Sequence, residues 1–330
     1  MLKVGLVGCG FMGTMHANVY SALDGIQLDT AWDKVPETLS NYCSKWGANL
    51  AESFESILAN PAIDIIDVCL PTYLHSEFTI KALKAGKHVL CEKPMALCTA
   101  DADKMINAAI ESGKTLMIAH CIRFWPEYAL VKGINENGRL GKLLSINLTR
   151  YGAFPAWASE GWNEHEELAG GGALDMHIHD TDYALFLMGE PDSMVSHGTN
   201  DSKGVGQICT TMKFGDSWAH LEGGWNLPSS APFKMAIRAI FEKGAIIMDG
   251  GPLTVYEDGK NPEVPQFTQM SASEAGGNLS DLGGYYFEIE HFRDAILAGV
   301  KPTIATPESS RRTLAVALDE ISQVKAKLGK

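Results

Sequence analysis

Short apolar runs alternate with helix-like stretches through the first 120 residues of the chain. The pattern predicts strands at 3–7, 27–32, 63–70, 87–91 and 115–119, and helices at 11–23, 36–46, 74–85 and 100–111. The longest of the apolar runs is Ile-Asp-Ile-Ile-Asp-Val-Cys-Leu, which suits a central strand of a parallel sheet because such a strand is covered on both faces. Strands and helices in alternation predict a parallel sheet between two layers of helices, and therefore the α/β fold class.

The pattern changes after residue 120. Strand-like runs follow at 143–151, 205–214, 217–225, 233–241 and 244–248, and helices are predicted at 127–136, 173–188, 286–297 and 307–327. Strand runs with only short segments between them predict one large, mainly antiparallel open sheet. We therefore expect two domains, at 1–121 and 122–330, with the packing of the last helix back onto the first domain left open.

The 330 residues carry a net charge of −13, from 27 basic and 40 acidic side chains. This balance disfavours nucleic acid and anionic membrane surfaces as partners, because both attract Lys and Arg. No apolar stretch has the length of a membrane span and the first residues lack a secretory layout, so we expect a cytoplasmic protein. Seven cysteines without a Cys-x-x-Cys pair predict reduced packing side chains and no metal site.

A glycine motif joins the first strand to the first helix. Its residues are Gly8, Cys9, Gly10, Phe11, Met12 and Gly13. In this context Gly8 permits the tight turn, Gly10 lets a pyrophosphate approach the backbone, and Gly13 lets helix and strand pack closely. Asp33, twenty residues past Gly13, can bind the adenosine ribose and repel a 2′-phosphate, which favours NAD over NADP. Lys34 partly offsets that repulsion, and an ordinary turn beside a loop acid is the alternative interpretation.

Glu92, Lys93 and Pro94 follow the apolar strand at 87–91. Ligands of open α/β sheets bind at the carboxyl ends of strands, so Lys93 is expected near the nicotinamide. A lysine there can bind a substrate hydroxyl and stabilise charge on its oxygen. The bond to Pro94 is a candidate cis peptide that would aim the lysine. A surface lysine after a strand is the alternative.

Asp175 and His179 are four residues apart in the predicted helix at 173–188, which places them on one helical face, and Asp182 continues that face. A carboxylate beside an imidazole raises its basicity, which suits a general base for a hydroxyl proton. A buried structural pair is one alternative. A metal site with His177 and Asp180 is another, and it is disfavoured because His177 and His179 point to different faces.

Several polar and aromatic residues are candidates for holding a substrate. Arg123 lies just past the strand at 115–119, and the glycine-rich loop at 152–172 carries Trp157, Trp162, Asn163 and His165. Aromatic rings pack against the C–H faces of sugars while amides and imidazoles bind hydroxyls. The alternative is that the tryptophans anchor the loop to the core.

The chain resembles the glucose–fructose oxidoreductase, inositol dehydrogenase and rhizopine-catabolism (Gfo/Idh/MocA) family. The matching stretches are 8–13, 70–75, 92–94, 123–124, 170–182 and 290–292. The resemblance implies a Rossmann dinucleotide-binding domain, a C-terminal α/β domain whose open sheet forms homodimers or homotetramers, and a catalytic group of Lys93, Asp175 and His179. It also places Pro71, Thr72 and His75 beside the cofactor, although Tyr73 stands where the family usually has Asn.

These observations predict an NAD-dependent dehydrogenase that acts on a secondary hydroxyl of a sugar, a sugar derivative or an inositol-like cyclitol. One alternative keeps the cofactor but uses transient oxidation to cleave a glycoside. The other is a dinucleotide sensor without catalysis, which Lys93, Asp175 and His179 disfavour because a sensor needs no base.

Overall fold

A computed structural model of the chain describes residues 1–156, 158–268, 270–276 and 279–329. Its strands are β1 (Leu2–Val7), β2 (Ile26–Trp32), β3 (Asn49–Leu50), β4 (Ile65–Val68), β5 (His88–Glu92), β6 (Leu116–Ala119), β7 (Leu143–Ala153), β8 (Ser193–Asp201), β9 (Gly204–Phe214), β10 (Ser217–Leu227), β11 (Lys234–Phe241), β12 (Gly244–Asp249), β13 (Thr254–Glu257), β14 (Ser271–Gly276) and β15 (Leu279–Asp281). Its α-helices are α1 (Phe11–Ala22), α2 (Pro36–Trp46), α3 (Phe54–Ala59), α4 (His75–Lys84), α5 (Thr99–Ser112), α6 (Pro126–Asn137), α7 (Glu166–Ala169), α8 (Ile178–Met188), α9 (Gly283–Ala298) and α10 (Pro307–Lys327).

The residues group into two compact units. One unit comprises Met1–Trp125 with Thr268–Arg311, and the other comprises Pro126–Phe267 with Arg312–Lys330. These units differ from the predicted continuous domains 1–121 and 122–330, because α9 belongs with the N-terminal residues. Its apolar side chains Ile289 and Phe292 are fully buried in the same core as β1 and α1.

The first unit contains a parallel six-stranded sheet in the order β3-β2-β1-β4-β5-β6. The central strand β4 is buried along its whole length, as its apolar sequence predicts. This strand order brings the carboxyl ends of β1, β4 and β5 side by side. The three chain segments that carry the candidate cofactor residues therefore leave the sheet at one edge.

The second unit contains a seven-stranded sheet in the order β13-β12-β11-β7-β10-β9-β8. Its pairs are antiparallel except for β7 with β10, so the predicted α/β fold with a mainly antiparallel second sheet is confirmed. Large apolar side chains on its strands are exposed, among them Val195, Trp218 and Tyr256. Assembly into a homodimer or homotetramer through this sheet stays a prediction, which a monomer in light scattering would contradict.

The last helix, α10, packs within the second unit from Arg312 onward. Thr313 donates a hydrogen bond to Asp182 (2.7 Å), Gln323 accepts one from the Ser196 backbone (3.1 Å), and Lys327 donates one to the Ser196 carbonyl (2.7 Å). The first residues of this helix belong to the first unit, where Ser309 accepts a hydrogen bond from Arg123 (2.9 Å) and Arg311 donates one to Asp103 (2.9 Å). Packing of the last helix onto the N-terminal residues, which the sequence leaves open, thus holds for the residues up to Arg311. In the part of the chain that the structure describes, no helix is both long and apolar enough to cross a bilayer.

Candidate active site

The glycine turn between β1 and α1 has the shape of a phosphate-binding cradle. Gly8 has a φ of +98°, and a Cβ there would overlap the carbonyl oxygen of Cys69. A Cβ on Gly13 would overlap the carbonyl oxygen of Gly8, whereas a Cβ on Gly10 would meet nothing within 4 Å. Two glycines are thus required by the fold, and the third leaves open space at the start of a helix. The donor-rich start of α1 fits a pyrophosphate there.

Asp33, at the end of β2, holds this turn in place. Its Oδ2 accepts a hydrogen bond from the backbone N–H of Cys9 (2.9 Å), and its Oδ1 accepts one from the N–H of Val35 (2.8 Å). The side chain is partly exposed, so its oxygens have further acceptor capacity on the solvent side. A carboxylate beside an open glycine turn fits the ribose of NAD, as the sequence predicts.

The segment after β5 begins with a buried carboxylate. Glu92 is 5 % exposed, and its Oε2 accepts the backbone N–H of Lys93 (3.1 Å). The peptide bond between Lys93 and Pro94 is cis, which confirms the prediction for that bond. Glu92 therefore acts on the backbone of Lys93 and not as an exposed acid.

His75 fastens this segment to the turn after β4. Its Nδ1 lies 2.8 Å from the carbonyl oxygen of Pro94, and its Nε2 lies 2.7 Å from that of Leu70. The ring is buried, and Thr72 in the short 3₁₀ turn Thr72–Leu74 is buried as well. His75 thus connects two backbone segments, while a direct cofactor contact by Pro71, Thr72 or His75 stays a prediction.

The second unit supplies Asp175 and His179. Asp175 lies in a π-helical turn, Ala173–His177, and His179 lies in the first turn of α8. Both side chains are partly exposed, while Leu174, His177 and Ile178 between and beside them are buried. A π-turn has wider i→i+5 bonding, and such turns are frequent at functional sites. The predicted regular α-helix over 173–188 is therefore wrong in its first five residues.

Three consecutive glycines, Gly170 to Gly172, precede the π-turn. Gly170 and Gly171 have φ values of +78° and +77°. A Cβ on Gly171 would come within 2.9 Å of the backbone nitrogen of Val205, and a Cβ on Gly172 within 2.7 Å of the carbonyl oxygen of Gly206. The turn can therefore approach β9 only with glycine at these positions.

The other polar residues of α8 are committed to the core. Asp182 is fully buried and accepts the hydroxyl of Thr313, so it is used in the core and is not exposed as Asp175 and His179 are. The remaining anchors are His177 Nε2 to Glu320 (3.2 Å), Thr181 to Glu320 (2.8 Å) and Asp180 to Arg150 (3.0 and 3.1 Å). The residues that the metal alternative needs, His177 and Asp180, thus already contact Glu320 and Arg150.

The predicted substrate residues have mixed surroundings. Arg123 is buried, and its guanidinium donates to the hydroxyl of Ser309 (2.9 Å). Asn163 is buried and donates to the carbonyl of Pro155 (2.8 Å), which closes its loop, whereas Trp162 is partly exposed. Trp157 lies outside the described residues. Substrate binding by Arg123, Trp162 and Asn163 stays a prediction.

Sequence reasoning missed His16 and Asp67. Both are fully buried, and His16 Nδ1 lies 2.8 Å from Asp67 Oδ2. Two signals were available: His16 follows the glycine motif within the first helix, and Asp67 interrupts the apolar run of β4. A charged residue inside a buried strand needs a partner, which the structure supplies.

Comparison with protein families agrees with this geometry. Residues 2–120 match the family model described as "Oxidoreductase family, NAD-binding Rossmann fold", and residues 128–247 match the "GFO/IDH/MocA C-terminal domain". The chain belongs to the Gfo/Idh/MocA family. The resemblance drawn from its motifs is therefore confirmed.

Relatives within the Gfo/Idh/MocA family include enzymes that act on sugars and cyclitols. A myo-inositol 2-dehydrogenase of Thermotoga maritima is 33 % identical over 57 % of this chain and 55 % of its own length. A 2,7-anhydro-N-acetylneuraminate hydratase of Escherichia coli is 31 % identical over 61 % and 53 %. The chain thus spans about half the length of the curated relatives it matches.

Among solved structures, a levoglucosan dehydrogenase in complex with NADH and levoglucosan has the same fold. Its TM-score is 0.84 at 24 % identity, with 99 % of this chain and 97 % of the other covered. The similarity shows that each of the two units, taken by itself, has the same backbone fold as its counterpart.

Proposed function

We propose that this chain is an NAD-dependent dehydrogenase for a secondary hydroxyl of a sugar, a sugar derivative or an inositol-like cyclitol. The observation that carries the proposal is the open space at Gly10, between two glycines that the fold requires and beside the Asp33 carboxylate. Gly8, Gly10, Phe11, Met12, Gly13 and Asp33 would hold the dinucleotide. The named activities of the relatives support the class of substrate.

Nicotinamide, when bound, supplies the chemistry of hydride acceptance and donation. His179 takes the hydroxyl proton, and Asp175 raises the basicity of the imidazole and orients it. Lys93 donates a hydrogen bond to the substrate oxygen and stabilises the charge that develops there. A positioned base of this kind contributes about 10²- to 10⁴-fold in rate.

The preference for NAD over NADP rests on Asp33. A carboxylate that is fixed by Cys9 and Val35 cannot easily turn away from a 2′-phosphate, so the repulsion persists. Lys34, the next residue, reduces but does not cancel this repulsion. We therefore propose a preference for NAD of moderate size.

A redox-neutral reaction is the second candidate, because one relative is named a hydratase. Hydration of a sugar involves no net oxidation. With a bound nicotinamide as the hydride acceptor, the same residues could assist transient oxidation of a hydroxyl to a ketone. Loss of the acidified proton on the neighbouring carbon would then expel the substituent on the next carbon, water would add in its place, and return of the hydride would restore the hydroxyl. A glycosidase of this type would release an aglycone with no accumulation of NADH.

The test is a panel of cyclitols, aldoses and sugar acids, assayed for nicotinamide reduction with NAD and NADP in parallel. We expect turnover of one chemical subgroup, with higher kcat/KM for NAD. Chromogenic glycosides in the same panel detect the redox-neutral reaction through aglycone release without NADH. Cofactor binding with no reaction in any arm would contradict both candidates and favour a sensor.

A further inference from the structure

His16 lies between two carboxylates in the interior of the first unit. Its Nδ1 is 2.8 Å from Asp67 Oδ2, and its Nε2 is 3.1 Å from Glu92 Oε1, an ion pair rather than an aligned hydrogen bond. The ring and Asp67 are fully buried, and the side chain of Glu92 is 6 % exposed. A lone pair on Nε2 would repel a carboxylate at this distance, so the arrangement favours a proton on Nε2.

Neutral donors complete the cluster around Asp67. Tyr20 donates its hydroxyl to Oδ2 (2.8 Å), and the Cys69 thiol donates to Oδ1 (3.5 Å). Burial and the Asp67 charge raise the pKa of Tyr20 and of Cys69 well above their usual values, so both stay protonated. Burial alone lowers the pKa of His16, but the charge of Asp67 and its hydrogen bond outweigh burial and raise that pKa well above the ordinary value.

His16, Asp67 and Cys69 also lie close enough together to be considered as a metal site. One ligand atom each of His16, Asp67 and Cys69 lies within 4.8 Å of the others, which is close enough for an ion. Metal binding would need a neutral imidazole and a thiolate, and it would compete with the direct contact between His16 and Asp67. The 2.8 Å separation of His16 Nδ1 and Asp67 Oδ2 is the length of a hydrogen bond.

The cluster connects the cofactor turn to Lys93. His16 belongs to α1, the helix that begins at the glycine turn, and Asp67 belongs to β4. Glu92 ends β5, and while its Oε1 faces His16, its Oε2 accepts the backbone N–H of Lys93. Tyr285 of α9 covers the ring, with centroids 6.4 Å apart. The His16 ring thus joins α1 to the backbone that carries Lys93.

We propose that His16 is a positioning residue, a buried imidazolium that fixes Glu92 and, through Glu92, the placement of Lys93 relative to the cofactor turn. The role of Lys93 rests on the proposed function, but the charge state of His16 does not. The protonated ring contributes stability that is complete below about pH 6.5, the ordinary histidine pKa. That contribution is lost only as the pH rises through the raised pKa of the folded state.

The first measurement is the nitrogen-15 NMR spectrum of labelled histidine in the whole chain, with His16 assigned among the ten histidines by its absence in His16→Gln. We expect both ring nitrogens of His16 to stay protonated above about pH 8, where an ordinary histidine is neutral. A ring that titrates near its ordinary value would overturn the proposal. This readout needs neither a substrate nor catalytic activity in the variant.

The second measurement compares His16→Gln, Glu92→Gln and the double variant. Removing the imidazolium alone leaves two buried carboxylates without a counter-charge, whereas the double variant removes one of them. We expect His16→Gln to lower the Tm and to lower kcat by about 10- to 100-fold through displacement of Lys93. We also expect a new ionisation in its pH profile, because a buried carboxylate that has lost its counter-charge takes up a proton more readily.

The double variant should recover Tm and lose the new ionisation. A double variant no more stable than His16→Gln would show that the ring only fills space and would overturn the proposal. His88→Gln is the control, because His88 on β5 accepts the N–H of Thr115 (3.1 Å) and forms no hydrogen bond or ion pair with a carboxylate among the described residues. If the wild-type chain oxidises no sugar, the proposed function is wrong, while the NMR and Tm results still test whether His16 is a buried imidazolium that holds Glu92.

Discussion

Gly8 and Gly10 are two residues apart and have opposite reasons to be glycine. Gly8 has a positive φ and no space for a Cβ, so the fold requires it. Gly10, with a φ of −82°, has an ordinary backbone conformation and open space around it. The protein's own atoms do not require glycine at the second position, whereas a ligand bound close to the backbone would. The sequence motif does not distinguish the two glycines, whereas the structure shows that the fold requires Gly8 and does not require Gly10.

Gly10→Ala should therefore leave the fold intact and weaken NAD binding. The added methyl group occupies the space that the pyrophosphate needs, so we expect Kd for NAD to rise by about tenfold or more, which corresponds to about 1.4 kcal/mol. Calorimetric titration measures the Kd, and thermal unfolding should give the wild-type Tm. Gly8→Ala is the matched comparison and should lower Tm strongly. Unchanged NAD affinity in Gly10→Ala would rule out this turn as the phosphate site.

Among the elements, the π-turn and the start of α8 carry the proposed acid–base pair, Asp175 and His179, and several buried polar contacts hold them. The bidentate pair of Arg150 and Asp180 is 4 % and 0 % exposed. Arg150 also donates to the hydroxyl of Tyr128 (3.0 Å), which raises the number of groups that depend on it. A buried pair of this kind is costly to break because one charge remains unpaired. It fixes the residue next to His179.

Asp180→Asn is expected to lower the free energy of unfolding by about 3 kcal/mol or more, since the Arg150 charge stays buried without its counter-charge. Urea denaturation measures the change. Asp101→Asn removes a carboxylate from the exposed pair with Lys104 and should change stability by less than about 1 kcal/mol. Equal effects of the two substitutions would mean that the buried pair does not anchor the helix.

Most of the elements followed from the hydrophobic pattern, because the strands of the first sheet are short apolar runs and the helices between them have clear ends. The two-residue strand β3 and the six-residue helix α3 are too short to leave a periodic signal. The π-turn at 173–177 was missed because it differs from an α-helix only in its i→i+5 backbone hydrogen bonds, and the hydrophobic pattern of five residues does not distinguish the two. The place of α9 in the first unit depends on packing between distant segments.

At the scale of the whole molecule, the predicted chemistry is divided between the two units. The glycine turn, Asp33 and Lys93 belong to the first unit, and Asp175 and His179 belong to the second. Motifs identified these residues because each has a local sequence context. The residues next to Lys93 and His179, which are Glu92 and Asp180, are held by His16 and Arg150. These two partners are far away in sequence and belong to no recognised motif.

The central claim is that the chain binds a nicotinamide dinucleotide and uses Lys93 in the reaction. The measurement that tests it most directly is kcat of Lys93→Met at saturating NAD, with Kd for NAD determined on the same sample. We predict a loss of about 10² or more in kcat, since a donor to the reacting oxygen is removed, and little change in Kd. His179→Asn should behave in the same way. Wild-type turnover in Lys93→Met would contradict the account.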